Sequence, residues 1–179
     1  MTSSPPHIAS DEQHLCVSCG MCCDGTLFDY VETLEEERVP LSALFTLRPG
    51  PKGPVFDQPC PHNRDRCCTI YQNRPATCRK YRCKTLLALE SGEVGGAEAA
   101  RRVTEAILAR DGVAKMLEPD ETLSAARERR AALAGDPSRS PGALVFVLKL
   151  TALDLLLDRY FRKPGRTMLN LSEQPQQLS

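Results

Sequence analysis

Hydrophobic and polar residues follow two different patterns in the two halves of this chain. From about residue 84 onward, apolar positions recur at helical spacing. Thr85–Glu90 predicts a short helix that ends near Gly92. Ala97–Asp111 places Ala100, Val103 and Ile107 on one face, with Gly112 as the expected stop. Pro119 opens a further predicted helix over Asp120–Ala134, closed by Gly135-Asp136-Pro137. Ser140-Pro141 then reads as an N-cap followed by proline at the first helical position, starting a helix that runs to about Arg162. Only Lys149 and Asp154 put charge into its apolar stretch Ala143–Leu157. At ~100° per residue they point roughly 140° apart, so no single polar stripe exists. The expected role is a central packing helix; the alternative is a protein-partner or self-association face over residues 141–162.

Before residue 84 the helical period is lost. Pro49-Gly50-Pro51, Gly53-Pro54, Pro59 and Pro61 punctuate the chain. Short strands are expected at Leu27–Val31 and Val55–Phe56, and a small helix around Leu34–Arg38. Apolar residues are too sparse there to build a core, so something other than burial must hold the region together. Residues 1–13 are polar, contain Pro5-Pro6 and read as a disordered N-terminus. Residues 163–179 read as a flexible tail. The chain thus divides into a cysteine-rich part at 14–90 and a helical part at 91–162 that packs on it. The predicted fold is mainly α with an irregular, minor-β metal-binding region, a small metal-stapled domain packed on three to four helices.

Composition sharpens this division. The chain has 179 residues, of which 41% are hydrophobic and 26% charged, with no net charge. That is ordinary globular composition, and the absence of a basic excess argues against a nucleic-acid or membrane-surface binder. The apolar stretch is too short and too charged to span a bilayer, and no secretory signal is visible, so the expected location is cytoplasmic. All nine cysteines lie between Cys16 and Cys83. In a reducing compartment, clustered cysteines point to metal ligation or redox chemistry rather than to a disulfide scaffold.

The first cluster is Cys16-Val-Ser-Cys19-Gly-Met-Cys22-Cys23. Its Cys-x2-Cys-x2-Cys spacing matches three ligands of a bacterial ferredoxin-type cluster, with Gly20 permitting a tight turn, but it lacks that motif's proline-terminated fourth cysteine. Structural zinc more often uses paired Cys-x2-Cys knuckles. Cys22 and Cys23 are adjacent, and neighbouring side chains diverge. They suggest either two metal positions or one ligand beside a redox-active or structural thiol. The second cluster, Cys60, Cys67, Cys68, Cys78 and Cys83, has wider gaps that suit ligands delivered by separate turns.

These residues resemble the YkgJ-type cysteine-cluster proteins, the CxxCxxCC family of zinc- or iron-chelating domains. The resemblance rests on Cys16, Cys19, Gly20, Cys22 and Cys23, then on the isolated Cys60. It continues through Cys68, Ile70, Tyr71, Arg74, Pro75, Cys78, Arg79 and Cys83. It covers residues 16–83 and matches all eight family cysteines; Cys67 is a ninth thiol without a counterpart. It implies a metal-chelating fold with Cys16, Cys19, Cys22, Cys23, Cys60, Cys68, Cys78 and Cys83 as ligands. The ligand spacing and the family label favour an iron–sulfur cluster, of 4Fe–4S type, over zinc.

Charge adds a physical argument. Asp11 to Glu37 holds eight acidic residues and no Lys or Arg, whereas Cys60 to Lys84 holds seven basic residues against Asp65. Cations beside thiolates stabilise them. Arg74 and Arg79 are therefore candidates for support of thiolate sulfur; the alternative is that they pair with the acidic segment and dock the two parts. His62 is a possible accessory ligand or proton carrier, against a plain loop histidine. His7 and His14 lie in or beside the N-terminal tail and carry no role. Tyr71 is expected to pack behind the metal loop, and Cys67 to be an exposed spare thiol, a substitute ligand or a partner of Cys68. The basic run Arg127, Arg129, Arg130 reads as a solvated helix face. No catalytic Ser/His/Asp set, HExxH or phosphate loop is present. The leading function is a metal-binding module with a possible redox role. The alternatives are a metal-dependent enzyme with a pocket between cluster and helices, and a zinc-stabilised interaction or metal/redox-sensing module.

Overall fold

The computed structural model describes residues 11–163; all but the first residue of the expected tail at 163–179 and most of the N-terminal one lie outside them. Among the described residues, α1 (Asp11–Cys19) comes first, then β1 (Tyr30–Glu32), α2 (Arg38–Ser42), β2 (Arg48–Pro49) and β3 (Pro54–Asp57). The hairpin β4 (Asn63–Arg64) and β5 (Cys67–Cys68) follows, then α3 (Ala76–Lys80) and α4 (Lys84–Glu90). The chain ends in three longer helices, α5 (Gly96–Ala114), α6 (Leu123–Ala134) and α7 (Pro141–Tyr160). The mainly helical class with minor β is as expected. α1 already includes residues 11–13, which the sequence reading left in the tail.

The helices assemble around α7. Its start follows the predicted signal: the Ser140 hydroxyl accepts from the Ala143 N–H at 3.2 Å, with Pro141 in the first turn. Phe146, Leu150, Leu153 and Leu157 are buried on one side and meet Ala99, Val103, Ala106 and Val113 of α5. The opposite side leaves Leu144, Val145, Leu148 and Leu155 exposed. Two boundaries differ from expectation. α5 runs through Gly112 to Ala114, because a lone glycine costs only ~1 kcal/mol in a helix whose flanking Val113 is buried. α6 begins not at Asp120 but after Thr122, whose hydroxyl caps the Ala125 N–H at 3.2 Å.

The predicted solvated face of α6 is overturned. Arg127 and Arg130 are buried and converge on Asp154, which is fully buried on α7. Arg130 Nη1 donates to Asp154 Oδ2 at 2.7 Å, Arg127 Nη2 to Oδ1 at 3.1 Å and Arg162 Nη2 to Oδ1 at 2.9 Å. Arg129 is half-buried, lying over the Phe146 ring and pairing with Glu121 at 2.6 Å. Burial alone pushes the Asp154 carboxyl up, but Arg127 and Arg162 outweigh it and hold the group below its ordinary range. Arg127 Nη2 also donates to the Thr26 carbonyl at 2.9 Å. This buried ionic cluster therefore ties the helices to the loop that follows Cys23.

The cysteine-rich part folds over one end of this helical layer. β1, β3 and β2 form a small antiparallel sheet with β3 in the centre and Val31 opposite Phe56. Its own core is Val31, Leu41, Phe45 and Phe56, with Phe45 and Phe56 stacked at 4.0 Å between ring centroids. Four such side chains stabilise the region by only several kcal/mol, in line with the shortage of apolar residues read from the sequence. No described helix is long and apolar enough to cross a membrane.

Candidate metal centre

Four of the nine thiols lie on or beside α1 and α4: Cys19, Cys22 and Cys83 pack with the helical core and Cys16 is exposed. Cys16 and Cys19 lie three residues apart on α1, hence on one face, rather than in the loop the sequence suggested. The helix stops at Gly20, whose φ of +68° lies in the left-handed region. A side chain there would also strike Arg66, whose Cβ and Cγ lie 3.0 Å from the position a Cβ would take. The Cys23 N–H returns to the Gly20 carbonyl at 2.9 Å, closing the turn that presents Cys22. Cys83 arrives from the other end of the domain at the N-cap of α4, its Sγ accepting from the Leu86 N–H at 3.4 Å. The end of α7 holds this segment in place: the Lys84 N–H bonds the Phe161 carbonyl at 3.1 Å, and Thr85 Oγ1 the Tyr160 carbonyl at 2.6 Å.

These four thiols sense one another. Burial raises Cys19 to about 12, opposed by the Met21 N–H and reinforced by Cys83 and Cys16. Burial also raises Cys22 well above its ordinary value, with Cys19 and Cys83 the strongest neighbours and Cys23 and Cys16 behind them. Cys83 is raised by burial, opposed by the Leu86 N–H and reinforced by Cys16.

A second four occupy the sheet-and-turn region. The Cys60 N–H donates to the Cys23 carbonyl at 2.7 Å, joining the two cysteine loops through backbone. Cys68 lies on β5, opposite Asn63 of β4. Cys78 lies on α3 and packs with Cys60 against the small core. Burial raises Cys23 to about 12, and its strongest neighbours are Cys60, Cys78 and Cys68. Cys78 is raised to about 12 by burial, reinforced by Cys60 and Cys68 and opposed by the Arg74 guanidinium. Cys60 is raised by burial and by Cys68, while the N–H groups of His62 and Asn63 point the other way.

By strongest electrostatic neighbours, Cys22 goes with Cys19 and Cys83, and Cys23 with Cys60, Cys78 and Cys68, while Cys22 also feels Cys23, ahead of Cys16. Hydrophobic packing divides the same way: Cys19, Cys22 and Cys83 belong with the helical core, Cys60 and Cys78 with the sheet core. Among the described residues, no three Cys, His, Asp or Glu side chains are closed around an ion-sized point. The donor chemistry nonetheless suits a soft cation. Without one, burial raises Cys19, Cys22, Cys23, Cys60, Cys78 and Cys83 and favours their thiol forms; a bound cation would reverse that balance. Backbone N–H groups already directed at Cys19, Cys60 and Cys83 would support the anionic sulfurs.

The accessory candidates separate clearly. Arg74 bears on Cys78 electrostatically and lies over the Tyr71 ring, 3.5 Å from its centroid. Tyr71 itself is exposed and does not pack behind the metal loop, because its ring serves as the platform for Arg74. Arg79 takes the docking role, 3.7 Å from Glu37, whose Oε1 also accepts from the Ala76 N–H at 2.8 Å. His62 is neither a plain exposed loop residue nor among the coupled thiols: its Nε2 lies 2.8 Å from the Leu44 carbonyl and its ring packs edge-on to Phe45. Cys67 is exposed at the start of β5, opposite Arg64, and is not among the electrostatic neighbours named for either set. The sequence reading missed Arg66, which donates to the Ser18 carbonyl at 2.9 Å and so locks the hairpin against the end of α1. It also missed Glu37; no local pattern marks either contact.

With this arrangement in view, the comparisons with known proteins are informative. Residues 15–99 match the CxxCxxCC family, described as "Putative zinc- or iron-chelating domain". This segment is thus similar to the CxxCxxCC domain. The match extends beyond Cys83 through α4 and into the first turn of α5, so the helix that Cys83 caps is part of the domain. No curated protein and no solved structure matches the chain. The match supports a zinc- or iron-chelating role for this segment.

Proposed function

We propose that the CxxCxxCC domain holds two metal centres, one on Cys16, Cys19, Cys22 and Cys83, the other on Cys23, Cys60, Cys68 and Cys78. What supports this reading is packing, with Cys19, Cys22 and Cys83 on the helical core and Cys60 and Cys78 on the sheet core, together with the strongest neighbours of Cys22 (Cys19 and Cys83) and of Cys23 (Cys60, Cys78 and Cys68). Iron–sulfur clusters, one per set, are the favoured occupants. Four cysteines suffice for a 4Fe–4S cluster, and N–H donors near sulfur are the means by which a protein tunes its potential. Four thiolates per centre leave no open position for a hydrolytic water, so electron transfer fits better than Lewis-acid chemistry. The proposed location is the cytoplasm, where the thiols stay reduced.

Anaerobic purification with metal and acid-labile sulfide analysis tests this. Two four-iron clusters give about eight iron and about eight sulfide per chain. A colourless, sulfide-free protein with two zinc ions overturns the iron–sulfur assignment but keeps two centres. One metal centre per chain overturns the partition.

A further inference from the structure

The chain from Met21 to Leu27 is a closed loop. The Leu27 N–H returns to the Met21 carbonyl at 3.1 Å, and Asp24 Oδ1 accepts the Thr26 N–H at 2.8 Å across the tip. Gly25, with a φ of +85°, makes the turn between them. Cys22, Cys23 and Asp24 therefore ride on one short loop.

Three guanidiniums from the helical part grip this loop. Arg127 of α6 donates to the Thr26 carbonyl at 2.9 Å, and Arg162, just after α7, reaches the same carbonyl at 3.4 Å. Both also serve buried Asp154, so they hold the loop whatever the charge on Asp24. Arg110 of α5 does something different: its Nη1 donates to Asp24 Oδ2 at 2.5 Å. Its second ion-pair partner is the neighbouring, half-exposed Asp111, at 2.6 Å. All three arginines lie beyond residue 99, outside the segment that matches the family.

The charge of Asp24 bears on the thiols. Behind burial and the neighbouring thiols, Asp24 raises both Cys19 and Cys23, one from each proposed set. Four thiolates around a divalent cation remain net negative, so a bare carboxylate beside them weakens metal binding. The Arg110–Asp24 pair is only 19% and 21% exposed, and solvent screens it less than a surface pair. The guanidinium thus offsets the carboxylate at the loop that both sets share.

We infer that Arg110 is a positioning residue for metal binding, acting through Asp24: it cancels the carboxylate held beside the Cys22–Cys23 turn and so strengthens metal retention. The inference rests on the proposed reading that these thiols hold metal, and is independent of which metal that is.

The test follows anaerobic release of metal from the full chain, as purified, into excess EDTA, beside urea midpoints of the same variants. Arg110→Gln leaves Asp24 uncompensated and is expected to speed release about fivefold, the order of effect of one charge at a partly buried site. Arg110→Lys keeps a point charge for the single contact with Asp24 and should stay within about twofold of wild type. Asp24→Asn keeps an acceptor for the Thr26 N–H but removes the negative charge, so release is expected to slow. Both Arg110→Gln and Asp24→Asn break the ion pair and should lower the urea midpoint, which separates metal retention from stability. A purely structural pair would shift release in the same direction in both variants. That result, unchanged release in both, or failure of lysine to restore retention overturns the inference. Metal content of the same samples separates the two proposals. Two centres per chain with unshifted release reject the role of Arg110 alone. One centre overturns the two-centre reading, and opposed shifts at that centre still support Arg110. A chain that binds no metal overturns both.

Discussion

The two sets of thiols carry the same donors on very different supports. Cys16, Cys19, Cys22 and Cys83 lie on or beside α1 and α4, backed by Leu15, Met21, Leu27, Leu86 and the buried face of α7. Cys23, Cys60, Cys68 and Cys78 lie on a two-residue strand, a five-residue helix and turns, backed by Val31, Leu41, Phe45 and Phe56. The first set is positioned by a core that forms without it; the second sits in a region whose apolar burial is too small to order it alone. Under the proposed assignment, one ligand set would be a passenger on its scaffold and the other the staple of its own, within a single segment of chain.

Metal removal should break this comparison most visibly. Structural metal sites contribute on the order of 10 kcal/mol to folding. Chelation is therefore expected to abolish amide-exchange protection around β3, the β4–β5 hairpin and α3 while α5 and α7 remain protected. Uniform loss of protection, or none, would remove the distinction between the two supports.

The next largest effect should come from the helical side. Asp154→Asn strips three buried guanidiniums of their shared counter-charge, a change of roughly 3–5 kcal/mol, read as a lower urea midpoint. The same carboxylate makes stability acid-sensitive. Its folded pKa lies below the ordinary 3.8, so its contribution is present above that value and is lost as pH falls through the lowered folded value. The wild-type chain should lose stability below about pH 4 more steeply than Asp154→Asn.

Cysteine replacements sharpen the partition at smaller energetic scale. Cys78→Ser should remove about half of the bound metal and destabilise the sheet region, whereas Cys19→Ser should remove the other half and leave that region protected. Metal analysis paired with hydrogen exchange reads both. Cys67→Ser, at an exposed thiol outside both sets, should change metal content least of all.

Some of this architecture was legible because its causes are local. The Ser140-Pro141 start of α7, the turn at Gly20 and the shortage of core residues before Cys83 each depend on a few neighbouring side chains. Other features were illegible because their partners are distant. Arg127 and Arg130 look like a solvated stripe until α7 supplies Asp154, 27 and 24 residues further along the chain. α1 continues through Cys16 and Cys19, residues of modest helix propensity, because the buried Leu15 and Cys19 anchor it to the helical core.

By itself, the order of residues specified which sulfur atoms were available, that they cluster early, and that helices follow them. Spacing and turn chemistry act over a few residues, so a linear reading reaches that far. Which thiol keeps company with which was decided only when α4 brought Cys83 back to α1 and the backbone of Cys60 met that of Cys23. The physical reason is that adjacent side chains on an extended turn point apart: Cys22 and Cys23 share a peptide bond and still face different neighbours, and only the folded chain supplies those neighbours.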